Sequence, residues 1–187
     1  MNKIIVGLLC FSMSACSLLN IKSENISPYE RRAEKTIASD NAIEVDSRDT
    51  LTDNKELLQG SHIEINAYNR VVLLTGEVPN AEVKQRVVEL IRVIAPIKKV
   101  YDYLSVAPVS DFSSRANDAL ITKTVSNAFQ QIHGLPQFNP AIIKVITSHN
   151  IVYLMGLVYR DEGNIVVKLT RLQTGVQGIV AIFDYLD

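Results

Sequence analysis

The sequence predicts an α+β protein of two tandem small domains, each running α-β-β-α-β with two helices packed on a three-stranded sheet. Three observations carry this. First, the chain repeats itself. Val71-Val72-Leu73-Leu74-Thr75-Gly76-Glu77-Val78 returns as Ile151-Val152-Tyr153-Leu154-Met155-Gly156-Leu157-Val158. Upstream, Asp40-Asn41-Ala42-Ile43 returns as Asp118-Ala119-Leu120-Ile121, and downstream Ile97-Lys98-Lys99-Val100-Tyr101 returns as Val176-Gln177-Gly178-Ile179-Val180. A period near 79 residues is too long for a solenoid and suits tandem domains. Second, the apolar period switches between helical and alternating in the same order in each unit. Third, the chain has 187 residues, and removing an N-terminal leader leaves about 170, enough for two small domains.

The leader is residues 1–15. Lys3 precedes a ten-residue apolar run, Ile4 to Met13, followed by Ser14-Ala15. That is the pattern of a secretory signal peptide, and the run is half the length of a membrane span. Cys16 follows directly and resembles the lipid-bearing first residue of bacterial lipoproteins. Ser17 stands where an aspartate would retain such a protein in the inner membrane, so the expectation is an acylated, periplasm-facing protein of the outer membrane. Residues 16–38 are polar, with Pro28 and several charges, and read as a lipidated tether.

Residues 39–107 form the expected first domain. Asp40 is a plausible N-cap for a helix with Ile43, Ser47 and Leu51 at helical spacing. Ile63 and Ile65 alternate with Glu64 and Asn66 in a strand. Tyr68-Asn69-Arg70 makes a tight connection to the apolar strand that reaches Gly76. A second helix covers about Asn80–Ala95, and a last strand about Lys98–Val106. After a linker at 108–115, the same order fills residues 116–187. The helix is expected over Asn117–His133, with Ile121, Val125, Ala128 and Ile132 on its core stripe. A strand holds Ile143 and Val145, a turn Ser148-His149-Asn150, a helix about Asp161–Thr174, and a strand about Gly178–Leu186. Val72, Leu74, Val87, Val88 and Ile91 are expected in the first core; Val152, Leu154, Val166, Val167 and Leu169 in the second.

Charge excludes a nucleic-acid protein: the chain is −1 overall. Residues 40–107 carry 11 acidic and 8 basic side chains, residues 108–187 six of each. The first domain should be repelled by anionic surfaces and the second should not. The cysteines are Cys10, in the leader, and Cys16, leaving no disulfide to hold the mature fold.

No catalytic or cofactor motif appears, so neither an enzyme nor a cofactor is expected. His62, His133 and His149 lack ligand spacing and a cysteine partner, so no metal site is expected; His133 is read as a helix-end residue. Asp46, Asp49 and Asp53 with Arg48 and Lys55 read as a solvated helix face. Gly76 and Gly156 are read as structural, placed where a strand ends and a positive φ or a close backbone approach is required.

The repeated strand–Gly–x–Val ending, with its helix and final strand, resembles tandem BON domains over about residues 39–187. Asn66-Ala67-Tyr68, Pro79-Asn80-Ala81-Glu82, Asn117-Asp118 with Ile121-Thr122, and Tyr153-Leu154-Met155-Gly156-Leu157-Val158 carry the resemblance. With the acylated cysteine, the chain is similar to dual-BON outer-membrane lipoproteins. The resemblance implies a factor that maintains the envelope barrier, gathers at the division site and is linked to the outer-membrane protein assembly machinery. It implies binding of anionic phospholipid through the first helix of the second domain. On that helix Asn117, Leu120, Lys123, Thr124 and Asn127 are the expected contact residues. Leu120 stands where those lipoproteins carry a tryptophan and Ser126 where they carry an arginine. The alternative is a protein-interaction module serving an envelope assembly complex, with sheet edges and the acidic first domain carrying function.

Overall fold

The computed structural model describes residues 31–135 and 138–186; the expected leader, Cys16 and most of the expected tether lie outside them. Helix α1 spans Glu34–Asp53 and is followed by a short 3-10 turn at Lys55–Leu58. Strands β1 (His62–Tyr68) and β2 (Val71–Val78), helix α2 (Ala81–Arg92) and strand β3 (Lys99–Val106) complete the first unit. The second unit holds α3 (Phe112–Phe129), a 3-10 turn at Pro140–Ile142, β4 (Ile143–Ser148), β5 (Ile151–Val158), α4 (Arg160–Arg171) and β6 (Gly178–Tyr185). Each sheet has the order first–second–third, the first pair antiparallel and the second parallel. Two helices cover one face of each sheet, as the α+β expectation required.

Local chemistry explains the elements. Asn80 caps α2 by accepting from Val83 N–H, and Asp111 caps α3 by accepting from Ser114 N–H at 2.7 Å. The hairpins turn through two residues at positive φ, Asn69 and Arg70 in one, His149 and Asn150 in the other. That is the geometry a tight antiparallel hairpin with right-handed twist demands. Asp40 is not an N-cap. It lies within α1, is buried, and its carboxylate accepts from Asn69 N–H and Arg70 N–H at 2.7 Å each. Asp118 does the same from within α3 for His149 N–H and Asn150 N–H, at 2.9 and 2.8 Å. Each hairpin's strained amides are thus satisfied by an aspartate one turn and a half inside the neighbouring helix.

Two boundaries move accordingly. α3 starts at Phe112, inside the stretch expected as linker, and ends at Phe129, so His133 lies beyond the helix and has no place at its terminus. α1 starts at Glu34, inside the stretch expected as tether.

Gly76 and Gly156 occupy equivalent register positions, opposite Ile63 and Ile143. Gly76 has φ 109°, and a Cβ there would stand 2.0 Å from the His62 carbonyl oxygen. At Gly156 the obstacle is milder: a Cβ would meet Ile143 Cδ1 at 2.9 Å.

Alternate residues of β2 and β5 face opposite ways, and both ways are buried. Val72, Leu74 and Val78 pack under α1 and α2 with Ile43, Leu51, Val87, Val88 and Ile91. Val152, Leu154 and Val158 pack under α3 and α4 with Ile121, Val125, Phe129 and Val166, while Val167 and Leu169 are partly buried there. Of the other expected core-stripe residues, Ile132 packs partly buried against this cluster and Ala128 is half-buried. The opposite faces meet in a third apolar cluster of Tyr68, Leu73, Ile146, Tyr153, Met155 and Ile182. The molecule is therefore layered helix–sheet–sheet–helix, with the two sheets facing each other.

Candidate functional site

Phe112 and Leu120 are the starting point. On α3, Ile121, Val125 and Phe129 turn inward. At 100° per residue, Phe112, Ala116, Leu120, Lys123 and Asn127 fall on the opposite side, and all are exposed. Leu120 is 61% exposed and Phe112 81%. Phe112 was missed at the level of sequence because it falls in the expected linker; Asp111 directly before an apolar residue was the capping signal that could have placed it. Of the other expected residues, Asn117 donates to Asn150 Oδ1 at 2.7 Å and is committed to the hairpin, and Thr124 donates to the Leu120 carbonyl. Ser126 is similarly turned back, onto the Thr122 carbonyl. The surface available to a ligand is thus two apolar side chains two helical turns apart, with Lys123 and Asn127 beside them.

The domain interface holds the polar groups that sequence reasoning did not connect. Glu77 lies on the sheet-facing side of β2, 1% exposed. His62 Nδ1 stands 3.2 Å from its Oε2, and His149 Nε2, from the other domain's hairpin, 2.9 Å from its Oε1. A buried carboxylate needs such partners. Tyr68 crosses the interface: its hydroxyl donates to the Ile142 carbonyl at 2.8 Å and accepts from Leu157 N–H at 3.2 Å. Burial pushes its pKa up. Glu44 accepts from Ala67 N–H at 2.9 Å and pairs with Lys144 Nζ at 2.5 Å. Burial works against its charge, but the Ala67 amide and Lys144 outweigh it and hold the carboxyl below its usual range.

A fourth tie comes from the N-terminal side. Arg31 donates to both oxygens of Glu162, at 2.6 and 2.8 Å, and its guanidinium lies 5.2 Å from the Tyr159 ring centre. Arg32 pairs with Asp40 and stacks 3.8 Å over Tyr68. Bidentate geometry with both partners nearly buried makes the Arg31–Glu162 pair a specific clasp.

Between β1 and β4 lies a cleft of about 540 Å³, lined by Ile63, Ile65, Val145 and Thr147 from the strands, with Arg48 from α1 and Arg115 from α3. In β1 and β4, every second residue directs its N–H and C=O away from the hairpin partner. Ala67 is one of them, since its N–H goes to Glu44. Among the described residues no group of three metal-ligating side chains is arranged to hold an ion, and no helix is long and apolar enough to cross a membrane.

The chain has relatives among known proteins. The BON domain family model matches residues 39–108. The chain is 26% identical over 156 residues to the outer membrane lipoprotein DolP of Haemophilus influenzae, covering 83% of this chain and 79% of that protein. It is 20% identical over 160 residues to a 21 kDa hemolysin of Actinobacillus pleuropneumoniae, covering 86% and 81%. Among solved structures, CdsD, a structural protein of the type III secretion system of Chlamydia trachomatis, aligns with 74% of this chain and 92% of its own, at 14% identity and a TM-score of 0.32.

Proposed function

Since the chain is a BON-domain outer-membrane lipoprotein that resembles DolP, we propose that it binds anionic phospholipid through the outward face of α3 and thereby supports the integrity of the envelope, at the division site. The observation that carries this reading is the pair Phe112 and Leu120, both large, apolar and mostly exposed on one helix face. Isolated exposed leucines are ordinary; an aromatic and a leucine aligned beside a lysine on a domain with no net negative charge are a headgroup-layer surface. Phe112 supplies the aromatic that Leu120 itself does not. The protein acts by binding, without catalysis.

The test is flotation with vesicles containing phosphatidylglycerol. Leu120→Glu should remove binding at least tenfold while unfolding stays within about 0.5 kcal/mol of the parent, as expected of an exposed site. Leu120→Trp should strengthen binding, and salt should weaken it. Unchanged binding of Leu120→Glu would move the site off α3.

A second reading has its own observation. The cleft between β1 and β4 exposes strand edges to solvent and is the place where an extended segment of an assembly-complex protein would add as a strand. Ile63→Pro, at an outward-bonding position of β1 whose side chain is only partly buried, should then abolish that partner's binding without touching vesicle binding.

A further inference from the structure

We infer that the protein has a second membrane-contact surface, a tyrosine patch at the point where its anchored N-terminus joins the folded body, and that it rests against the phospholipid headgroup layer. The inference rests on acylation at Cys16 and does not require α3 to bind lipid. Fourteen residues separate Cys16 from Arg31, a stretch that spans at most about 50 Å when fully extended. Its last residue meets Arg31, and Arg31 is clasped to Glu162 at the start of α4. So although the anchor precedes the first domain in sequence, the place it is tied to is the second domain.

What surrounds that tie is amphipathic. Tyr159, 48% exposed, packs under the Arg31 guanidinium, and Tyr185, 45% exposed, packs under Arg160 at 4.7 Å. Leu186 is exposed beside Tyr185, and its N–H is held by the Val158 carbonyl at 3.0 Å. Tyrosines backed by arginines, with an apolar body and a polar tip, are side chains suited to the boundary between headgroups and acyl chains. Glu162 adds no free negative charge because Arg31 neutralises it; among the described residues Asp161 is an exposed acid at this edge. The tethered anchor holds the patch within reach of the bilayer at all times, so weak affinity per tyrosine suffices through effective concentration.

The experiment uses the full acylated protein in vesicles of phosphatidylethanolamine and phosphatidylglycerol. With Cys16 acylated, a single introduced cysteine carries a fluorophore. Label sites are Asp161→Cys beside the patch, Ala116→Cys on the outward face of α3 and Glu89→Cys on the outer face of α2, with spin-labelled lipid as quencher. Quenching at position 161 should exceed that at 89 by about twofold or more, as interfacial burial requires. Tyr159→Ser with Tyr185→Ser should remove the excess, and Arg31→Gln, which opens the clasp, should reduce it. If the tyrosine pair fails to fold, Arg31→Gln decides alone. Quenching at 161 no stronger than at 89, or an excess that Arg31→Gln does not reduce, overturns the inference. Quenching at 116 without 161 leaves the α3 reading standing and this one fallen; 161 without 116 does the reverse.

Discussion

Six residues ahead of the aspartate that pins its hairpin, the first domain's helix begins with Glu34; at the same place the second domain's helix begins with Phe112. Ala42 stands where the second domain has Leu120, and Val45 where it has Lys123; all are exposed. Inside, the two domains solve the same problems with the same parts: Asp40 and Asp118 on the hairpins, Gly76 and Gly156 at one register position, Val72 and Val152 under the helices. The lesson is that the interior chemistry defines the frame, while the outward helix face is free to vary: Glu34, Ala42 and Val45 in one copy, Phe112, Leu120 and Lys123 in the other. A working surface is found by subtracting one domain from the other.

The largest expected contrast is at the glycines. Gly76→Ala would force a Cβ onto the His62 carbonyl at a left-handed φ, and should cost about 3 kcal/mol or more in chemical denaturation. Gly156→Ala would press mainly on the movable end of Ile143 and should cost about 1 kcal/mol. Equal losses would mean that the equivalence of register hides no difference of strain.

Next comes the interface. Tyr68 spans it, whereas its counterpart at the other hairpin is Ser148, which reaches only the neighbouring His149. Tyr68→Phe leaves the Ile142 carbonyl and the Leu157 amide without their shared partner and should cost about 1–3 kcal/mol in thermal melts. Ser148→Ala should stay within about 0.5 kcal/mol.

Much of the frame was legible because helices and strands write their periods into neighbouring residues. Val87, Val88 and Ile91 could be assigned to the core from spacing, and all three are buried. The face-to-face packing of the sheets was not read from the sequence; its trace there is the apolar run Val71–Leu74, which alternation on one buried face does not require. What was not legible is pairing across distance. Glu77 meets His149, and Arg31 meets Glu162, with no local signature at either end. Asp40 misled because an aspartate before an apolar helical stripe is the usual N-cap pattern, and only the fold reveals that its carboxylate faces another hairpin. On the candidate surface Leu120 was legible from its helical phase; Phe112 was hidden by the serines around it.

Acid should loosen the interface through Glu44, whose partner Lys144 belongs to the other domain. Its carboxyl titrates lower in the folded protein than in the unfolded chain, so its stabilisation is complete above the unfolded carboxyl value near ~4.3 and is lost as pH falls through the depressed folded value. Glu44→Gln should therefore flatten the fall in melting temperature below about pH 4.5, and Lys144→Met should flatten it in part. Thr122→Val, at the position of α3 equivalent to Glu44, where an uncharged hydroxyl meets that of Thr147, should leave the pH profile unaltered.

The smallest effect on stability, and the sharpest test of the comparison, is to transplant the surface. Glu34→Phe with Ala42→Leu gives the first domain the two side chains that distinguish α3. Both positions are exposed, so the cost should be about 0.5 kcal/mol, most of it from losing an acid in the first turn of α1. In a chain already disabled by Leu120→Glu, the transplant should restore part of the binding to phosphatidylglycerol vesicles. The recovery should be incomplete at low salt and improve as salt rises, because residues 40–107 carry 11 acidic against 8 basic side chains and their repulsion from the bilayer is what screening removes. That salt trend is opposite in sign to the one expected for α3. Full recovery with the ordinary salt trend would show that the two apolar side chains alone make the surface and that domain charge is irrelevant. No recovery would show that α3 contributes something beyond them, with Lys123 the first residue to suspect because Val45 stands in its place in α1.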